Sequence, residues 1–272
     1  MVFWKPLKAR GQPMSLDFLL FVAVGFLAQI VDGALGMAYG VVSTTVLLSI
    51  GVAPANASAS VHTAEMFTTF ASALSHLWHR NVDKHLFWKL APAGVVGGVV
   101  GTFVLTSVDG ATIKPYIVAY MGVMGVVIIW RTLYGVKQRT EPVRGVVPLG
   151  LTGGFVDAVG GGGWGPVVTT TLVGAGGQPR YVIGTVNTAE FVLTTAVSAA
   201  FLAALLTGHW EDAGDLTQNA TAVAGLIVGG LCAAPLAGYV VKRISPRTLG
   251  VAVGTLVLIL VVYQTLRLLG YL

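Results

Sequence analysis

The sequence predicts an all-α integral membrane protein made of two homologous repeats, and three observations support this prediction. Apolar residues make up 55% of the 272 residues and charged residues only 10%, against about 25% charged residues in a typical soluble domain. The uncharged runs include Phe18–Val31, Gly33–Val61, Leu90–Val108, Ile117–Trp130 and Ala220–Val241. Three of these reach or exceed the roughly 20 residues that a helix needs to cross a bilayer, and they lack the alternation of transmembrane strands. The third observation is a duplicated stretch.

The duplicated stretch spans Val31–Glu65 and Val156–Glu190. Aligned with a shift of 125 positions and no gap, the two copies are identical at 14 of 35 positions. Each copy holds an acidic residue, a glycine-rich run, an aromatic residue before a glycine, a Ser/Thr cluster, a proline and a polar triplet ending in glutamate. Agreement of so many features in register indicates an internal duplication.

Each repeat is predicted to contain a glycine-broken helical hairpin followed by three transmembrane helices. Pro115 and Pro246 match at a shift of 131, so the duplication extends into the last helix of each repeat. The segments are a basic N-terminal segment (1–16), repeat 1 (17–134), a linker (135–145) and repeat 2 (146–272). The helices after the hairpins are expected over about 54–78, 86–107 and 113–133, and then over about 179–206, 218–241 and up to 268.

The charged loops predict the orientation of the two repeats. Basic loops of membrane proteins face the cytoplasm, which places the Arg80 loop, the linker and the turn 242–247 inside and the acidic Glu211 loop outside. The Arg80 and Glu211 loops occupy equivalent places in the two repeats, so the repeats are expected to be inverted. The same assignment puts the basic N-terminus outside, and parallel repeats therefore stay as the alternative.

The two glycine runs, Gly33–Gly40 and Gly160–Gly165, are candidates for a binding site. Irregular backbone survives in a membrane only where protein covers it or where it lines a watery cavity. Broken helices leave free N–H groups that attract an anion, and transporters with internal repeats place substrate at such breaks. The alternative is that the glycines only permit tight packing. The candidate residues are Gly36, Gly161, Gly162 and Gly163, with Tyr39 and Trp164 as aromatic residues that could pack over a ligand.

Glu65 and Glu190 each stand inside a long apolar run, where an ionisable residue is costly and usually functional. Each shares a helical face with a polar residue three positions earlier, His62 and Asn187 respectively. A buried glutamate that desolvation keeps protonated can carry a proton, and His62 could bind an anion or relay that proton. The alternative is that both glutamates only hydrogen-bond the backbone of the opposing hairpin.

Other polar residues flank the glycine runs. Asp32 and Asp157 precede the breaks, where an acid readily caps a helix N-terminus. The Ser/Thr clusters Ser43–Thr45 and Thr169–Thr171 offer hydroxyls to a substrate, although hydroxyls in helices often bond their own backbone. Thr63 and Thr188 of the polar triplets are also candidates for substrate binding. No lysine or arginine is expected deep in the spans, so neutral donors are expected to do most of the anion binding.

The sequence gives no reason to expect an enzyme, a metal or a cofactor. His62 and Glu65 lack the further ligands of a zinc site, and the only cysteine is Cys232. The run Gly160–Gly165 lacks the Gly-Lys-Ser/Thr of a phosphate-binding loop, which argues against an ATP-driven pump. The net charge of +5 is assigned to cytoplasmic loops, so no nucleic-acid partner is expected.

Four short stretches resemble the TauE/SafE family of sulfite exporters: GGGGWGP and GTVNTAE in repeat 2, with weaker partners LGMAYGV and ASVHTAE in repeat 1. The resemblance implies a secondary transporter of sulfur-containing anions such as sulfite and sulfonates, or of related organic anions, in the bacterial inner membrane. It adds Gly184–Thr185, at the start of the helix after the hairpin, to the candidate site. Repeat 1 departs from both motifs, and Glu65 and Glu190 stand where the wider family is expected to have neutral residues.

The leading hypothesis is therefore a proton-coupled secondary active transporter that works by alternating access. Its expected partners are a small anionic substrate, protons and the lipid bilayer, with a homodimer as a candidate assembly. Glu65 and Glu190 would carry the protons. Two alternatives stay open, namely a passive anion channel and a structural membrane protein without transport.

Overall fold

The computed structural model describes residues 14–35, 37–135, 145–210, 213, 216–243 and 245–272. Within these ranges the chain forms helices joined by short turns and contains no β-strand. Repeat 1 comprises α1 (Met14–Leu35), α2 (Tyr39–Ser49), α3 (Pro54–Trp78), α4 (Lys84–Ser107) and α5 (Gly110–Tyr134). Repeat 2 comprises α6 (Val146–Gly160), a π-helical turn (Gly165–Thr169), α7 (Thr170–Gly174), α8 (Pro179–Leu206), α9 (Leu216–Arg243) and α10 (Pro246–Leu268).

The helices have the lengths and compositions of an all-α membrane protein. Four of those described, α4, α5, α8 and α10, are long and apolar enough to cross a membrane. Shorter apolar stretches lie at Phe18–Asp32, Tyr39–Ser49, Val146–Gly160 and Ala220–Leu236. Helices α4 and α5 begin slightly earlier than the sequence predicts because Asp83 and Asp109 cap their first turns through side-chain oxygens.

Each repeat starts with a broken helical hairpin. Hairpin 1 consists of α1 and α2, and its described break (tip 1) is Met37–Ala38. Hairpin 2 consists of α6, the π-helical turn and α7, and its break (tip 2) is Gly161–Gly163. All three glycines of tip 2 have positive φ, at 69°, 149° and 153°, which explains why glycine is needed there. Ala38 of tip 1 also has a positive φ, 107°, a strained value for a residue with a side chain.

The helix contacts follow the duplication. Helix α1 packs along α9, and their counterparts α6 and α4 pack along each other in the same way. Both contacts are close because glycines let the backbones approach, with Gly229 against the Val22 carbonyl and Gly97 against the Leu151 carbonyl. The other main pairs, α3 with α8 and α5 with α10, each join a helix to its own counterpart.

Equivalent turns lie at opposite ends of the molecule. The α3–α4 turn packs on the start of α8, where Arg180 Nε donates to Asn81 Oδ1 over 2.6 Å. The chain after α8 instead meets the end of α4, where His209 Nε2 lies 2.7 Å from Ser107 Oγ. Helices α3 and α8 are therefore antiparallel, an arrangement that favours inverted over parallel repeats.

We call the end that contains the α3–α4 turn and the start of α8 the basic end, because Arg80, Lys84 and Arg180 lie there. The acidic residues Glu211, Asp212 and Asp215 and the linker residues 136–144 lie outside the described residues. The predicted side of the acidic loop is therefore not described by the structure.

Candidate functional site

The two hairpins meet at their breaks. Gly162 of tip 2 lies against the backbone of Gly40 and Val41 in the first turn of α2, and a Cβ atom added at Gly40 would stand 2.6 Å from the Gly162 Cα. Thr44 Oγ1, one turn further along α2, donates a hydrogen bond to the Gly161 carbonyl. The glycines of the two duplicated runs therefore permit a backbone-to-backbone contact between the hairpins.

Side chains from two other helices hold tip 2. Tyr120 of α5 donates a hydrogen bond from its hydroxyl to the Gly162 carbonyl over 3.1 Å. The fully buried Trp164 donates from Nε1 to the Val186 carbonyl of α8 over 3.2 Å. Trp164 therefore fixes tip 2 to the start of α8, and its ring packs in the core.

Asp157 connects tip 2 to helix α3. Its Oδ1 accepts a hydrogen bond from the backbone N–H of Trp164 (2.8 Å), and its Oδ2 lies 3.1 Å from Nε2 of the buried His62. The other ring nitrogen of His62, Nδ1, lies 2.8 Å from the Ser58 carbonyl. Both ring nitrogens of His62 therefore face oxygen atoms, one of Asp157 and one of the Ser58 backbone.

Asp32 occupies the corresponding position in hairpin 1 but makes a weaker contact. Its Oδ1 accepts from the backbone N–H of Tyr39 over 3.4 Å. Tyr39 is buried and donates from its hydroxyl to the Leu226 carbonyl of α9 over 3.2 Å. The expectation of free N–H groups is thus wrong for Tyr39 and Trp164, because the protein's own carboxylates accept from the first amides after both breaks.

Glu65 and Glu190 lie near the same crossing. Glu65 is buried, and its Oε1 would be 3.0 Å from a Cβ at Gly40. Glu190 is half-buried and makes no hydrogen bond to any other described residue. Glu65 interacts electrostatically with Asp32, Asp157 and Glu190. No lysine or arginine in the described part of the chain forms an ion pair with these four carboxyl groups.

Two predicted substrate threonines bond their own helices. Thr63 Oγ1 donates to the Ala59 carbonyl and Thr188 Oγ1 to the Gly184 carbonyl, both over 2.7 Å. These hydroxyl protons are therefore engaged locally, as is common for threonine in helices.

Three more candidates lie away from the tips or cannot be placed. Thr185 accepts from the backbone N–H of Asp83 over 2.8 Å at the basic end. Asn187 turns toward α3, with its Nδ2 3.3 Å from Ser72 Oγ. Gly36, the counterpart of Gly161, lies outside the described residues.

Sequence reasoning missed Tyr120 and Arg131, both on α5. Arg131 is half-buried, and its Nη1 lies 3.2 Å from Thr170 Oγ1 at the start of α7 and 2.7 Å from Met37 Sδ of tip 1. The expectation that no arginine reaches into the spans is therefore wrong. Arg131 stands three residues before the end of α5, and its inward direction follows from the lean of helical side chains toward the helix N-terminus.

Two clefts lie at opposite ends of the protein, each beside the base of one hairpin. A cleft of about 420 Å³ adjoins the end of hairpin 1, and a cleft of about 730 Å³ at the basic end adjoins the start and end of hairpin 2. Residues of the first include Pro54, Thr106, Ser107, Asp109 and His209. Those of the second include Asp83, His85, Lys89, Val146, Gly177 and Tyr181.

Comparison with known proteins identifies the family. The model of the family "Sulfite exporter TauE/SafE" matches residues 21–264. The chain is 42% identical over 248 residues to "Probable membrane transporter protein YtnM" of Bacillus subtilis (strain 168), covering 89% of this chain and 80% of that protein. No solved structure matches. With a match that includes both hairpins and nearly all of both repeats, the chain belongs to the sulfite exporter TauE/SafE family of membrane transporters.

Proposed function

We propose that this multi-pass membrane transporter is a secondary active transporter of a small sulfur-containing or organic anion, coupled to protons, in the bacterial inner membrane. The observation that carries the proposal is the backbone contact between tip 2 and the first turn of α2, directly after tip 1, with four carboxyl groups nearby. Paired broken helices near the middle of a repeat protein are where secondary transporters bind substrate.

The unpaired charges support proton coupling. Asp157 faces His62, but Glu65 and Glu190 have no cationic partner among the described residues. An ionised carboxylate inside a membrane is costly, and it would repel an anion that passes between the hairpins. Protonation of the glutamates removes both penalties. The anion and the proton are therefore expected to cross together.

The arrangement of the repeats supports alternating access. Tip 2 touches the first turns of α2, so the path between the hairpins is closed there, while a cleft lies at each end. Antiparallel pairing of α3 with α8 is what inverted repeats produce, and such repeats exchange conformations when a transporter opens to the other side. Under this proposal the tips separate from one side at a time.

The proposal is tested with purified protein in liposomes that carry a proton gradient. Sulfite, alkyl sulfonates, sulfate and short carboxylates are offered in turn, and anion accumulation and proton flux are measured together. We expect one of these anions to accumulate above its external concentration and to drive proton flux. Glu65→Gln/Glu190→Gln should abolish the coupled flux. Glu141→Gln is the matched control, because it makes the same substitution in the linker between the repeats.

Each alternative function gives a different result in this assay. A passive channel would let the anion equilibrate without accumulation, and a structural membrane protein would give no flux for any anion. Coupled flux that is unchanged in the double variant would contradict the role of the two glutamates and leave transport itself standing.

A further inference from the structure

Arg131 is a cation without an acidic partner among the described residues, next to both hairpins. Its Nη1 contacts Thr170 of hairpin 2 and Met37 of hairpin 1. Its Nη2 and Nε atoms have no acceptor in the described part of the chain. A guanidinium offers five N–H donors, so most of its hydrogen-bonding capacity is unused. An anion with two oxygens could satisfy Nη2 and Nε together.

The direction of α5 places this guanidinium on the inside. Helix α5 runs toward the basic end, because its first residue, Gly110, lies against Pro54 at the start of α3, the end of α3 opposite the α3–α4 turn. Thr132 near the end of α5 packs on Gly250, so the start of α10 also lies at the basic end. Side chains of a helix lean toward its N-terminus, so Arg131 reaches back from the basic end toward the hairpins. Met37, which it contacts, is only 4% exposed. The side chain therefore does not extend outward to lipid headgroups, as arginines near helix ends often do.

In the second repeat a neutral residue contacts the threonine that matches Thr170. Gln264 of α10 is buried, and its Nε2 donates to the Thr45 carbonyl of α2 over 3.3 Å. Thr45 and Thr170 are matched positions of the duplicated stretch. The Oε1 atom of Gln264 is buried without a hydrogen-bond partner. Repeat 1 thus sets a guanidinium against the Thr170 hydroxyl of hairpin 2, and repeat 2 sets an amide against the backbone carbonyl of the matched Thr45 in hairpin 1.

We propose that Arg131, with the Thr170 hydroxyl, binds the oxyanion on the basic-end side of the tips. The ligand class is a sulfonate, sulfite or carboxylate, whose paired oxygens fit the free edge of the guanidinium formed by Nε and Nη2. Gln264 forms the uncharged counterpart on the other side, so the two sides bind the anion with different affinity. This inference rests on the proposed transport function. The Arg131 guanidinium would also give the anion a strong hydrogen-bond donor. The backbone amides of Tyr39 and Trp164 do not, because they already donate to Asp32 and Asp157.

The test measures the KM of anion transport separately from each side of oriented proteoliposomes, with the anion that the wild type accumulates. Arg131→Gln should raise the KM at the basic end at least tenfold, and Arg131→Lys should raise it less. Arg247→Gln removes an exposed arginine at the start of α10, at the same end, and should leave both KM values unchanged. The opposite-side KM should change less than threefold in every variant.

Lipid composition separates a transported anion from a lipid headgroup as the ligand of Arg131. The measurement is repeated in vesicles of phosphatidylcholine alone and of phosphatidylcholine with phosphatidylglycerol. A tenfold effect in both supports the proposal, whereas an effect only with phosphatidylglycerol assigns Arg131 to lipid and overturns it. Equal KM values for Arg131→Gln and wild type also overturn it and leave the transport function intact.

Two further outcomes have defined meanings. A wild type that transports none of the anions contradicts both the proposed function and this inference. If Arg131→Gln does not fold, the anion-induced rise in unfolding temperature of Arg131→Lys decides. A smaller rise than in wild type supports the proposal, and an equal rise overturns it.

Discussion

Hairpins 1 and 2 derive from the same duplicated stretch, yet the protein holds their tips differently. Tip 2 consists of three glycines and is bonded by Thr44 and Tyr120, and Asp157 ties the following residue to α3. Tip 1 contains Ala38 in a strained conformation, and its acidic residue makes a single long hydrogen bond to the helix start that follows. The two hairpins thus share a broken shape, whereas His62 of α3 and Tyr120 of α5 help to hold only tip 2 and the residue that follows it.

This difference predicts unequal motion. Both tips are buried, but tip 2 is hydrogen-bonded to α2 and α5. Tip 1 contacts the long side chain of Arg131 and has fewer fixed partners among the described residues. We expect tip 1 to move more easily than tip 2 when the transport path opens.

The largest expected effect is that of a side chain at Gly162. In Gly162→Ala the new Cβ would collide with the Gly40 and Val41 backbone, which cannot yield as a flexible side chain could. We expect a loss of more than about 3 kcal/mol in the free energy of unfolding, from strain and overpacking together. Thermal unfolding in detergent and transport measure the effect.

Gly208→Ala is the matched control for Gly162→Ala. Gly208 also has a positive φ, 73°, but nothing lies within 4 Å of an added Cβ. We expect a loss of about 1 kcal/mol from the backbone conformation alone. Equal losses in the two variants would show that the contact between the hairpins is not tight.

A second prediction compares Asp32 and Asp157, which are matched positions of the duplicated stretch. Asp157→Ala removes the partner of the buried His62 and should cost about 3–5 kcal/mol. Asp32→Ala removes only a long capping bond and should cost about 1 kcal/mol. The unfolding temperatures of both variants check this order. Equal losses of stability in Asp32→Ala and Asp157→Ala would contradict the claim that tip 2 is held more firmly than tip 1.

The smallest expected effect has the opposite sign. Ala38 has a φ of 107°, a value that glycine adopts without a steric penalty. Ala38→Gly should therefore stabilise the protein, by up to about 1 kcal/mol after the added entropy of the unfolded chain is subtracted. Chemical denaturation of the variant measures the change. A clear loss of stability would contradict the assignment of strain to tip 1.

Composition and repetition were enough to predict the architecture. In a membrane the backbone N–H and C=O groups of the apolar runs must be paired within the protein, which favours helices. Pro54 and Pro179 marked the starts of α3 and α8, because proline suits the first turn of a helix. The meeting of the two hairpins also followed from burial of their irregular backbone. Helix formation, helix starts and the burial of irregular backbone depend on the local sequence and on the lipid environment, so they could be predicted.

The contacts of the site depend on distant parts of the chain and could be predicted only in part. Asp157 was recognisable as a capping residue, but its bond to His62 joins residues 95 positions apart. Tyr120 and Arg131 lie on a helix whose sequence gives no sign of which side faces the hairpins. The sequence also does not predict whether a backbone amide at a helix start stays free to bind a ligand. That depends on whether a nearby carboxylate, such as Asp157, accepts its hydrogen bond.

The central claim, that the contact between the hairpins must open during transport, is tested most directly by locking it. A Cβ at Gly161 would lie 3.2 Å from the Thr44 Cβ, close to the separation of about 3.5–4.5 Å in a disulfide. Thr44→Cys/Gly161→Cys is made on a Cys232→Ser background, with each single cysteine variant as a control. Oxidation should abolish anion transport by the double variant only, and reduction should restore it. Full transport by the oxidised, cross-linked protein would contradict the claim.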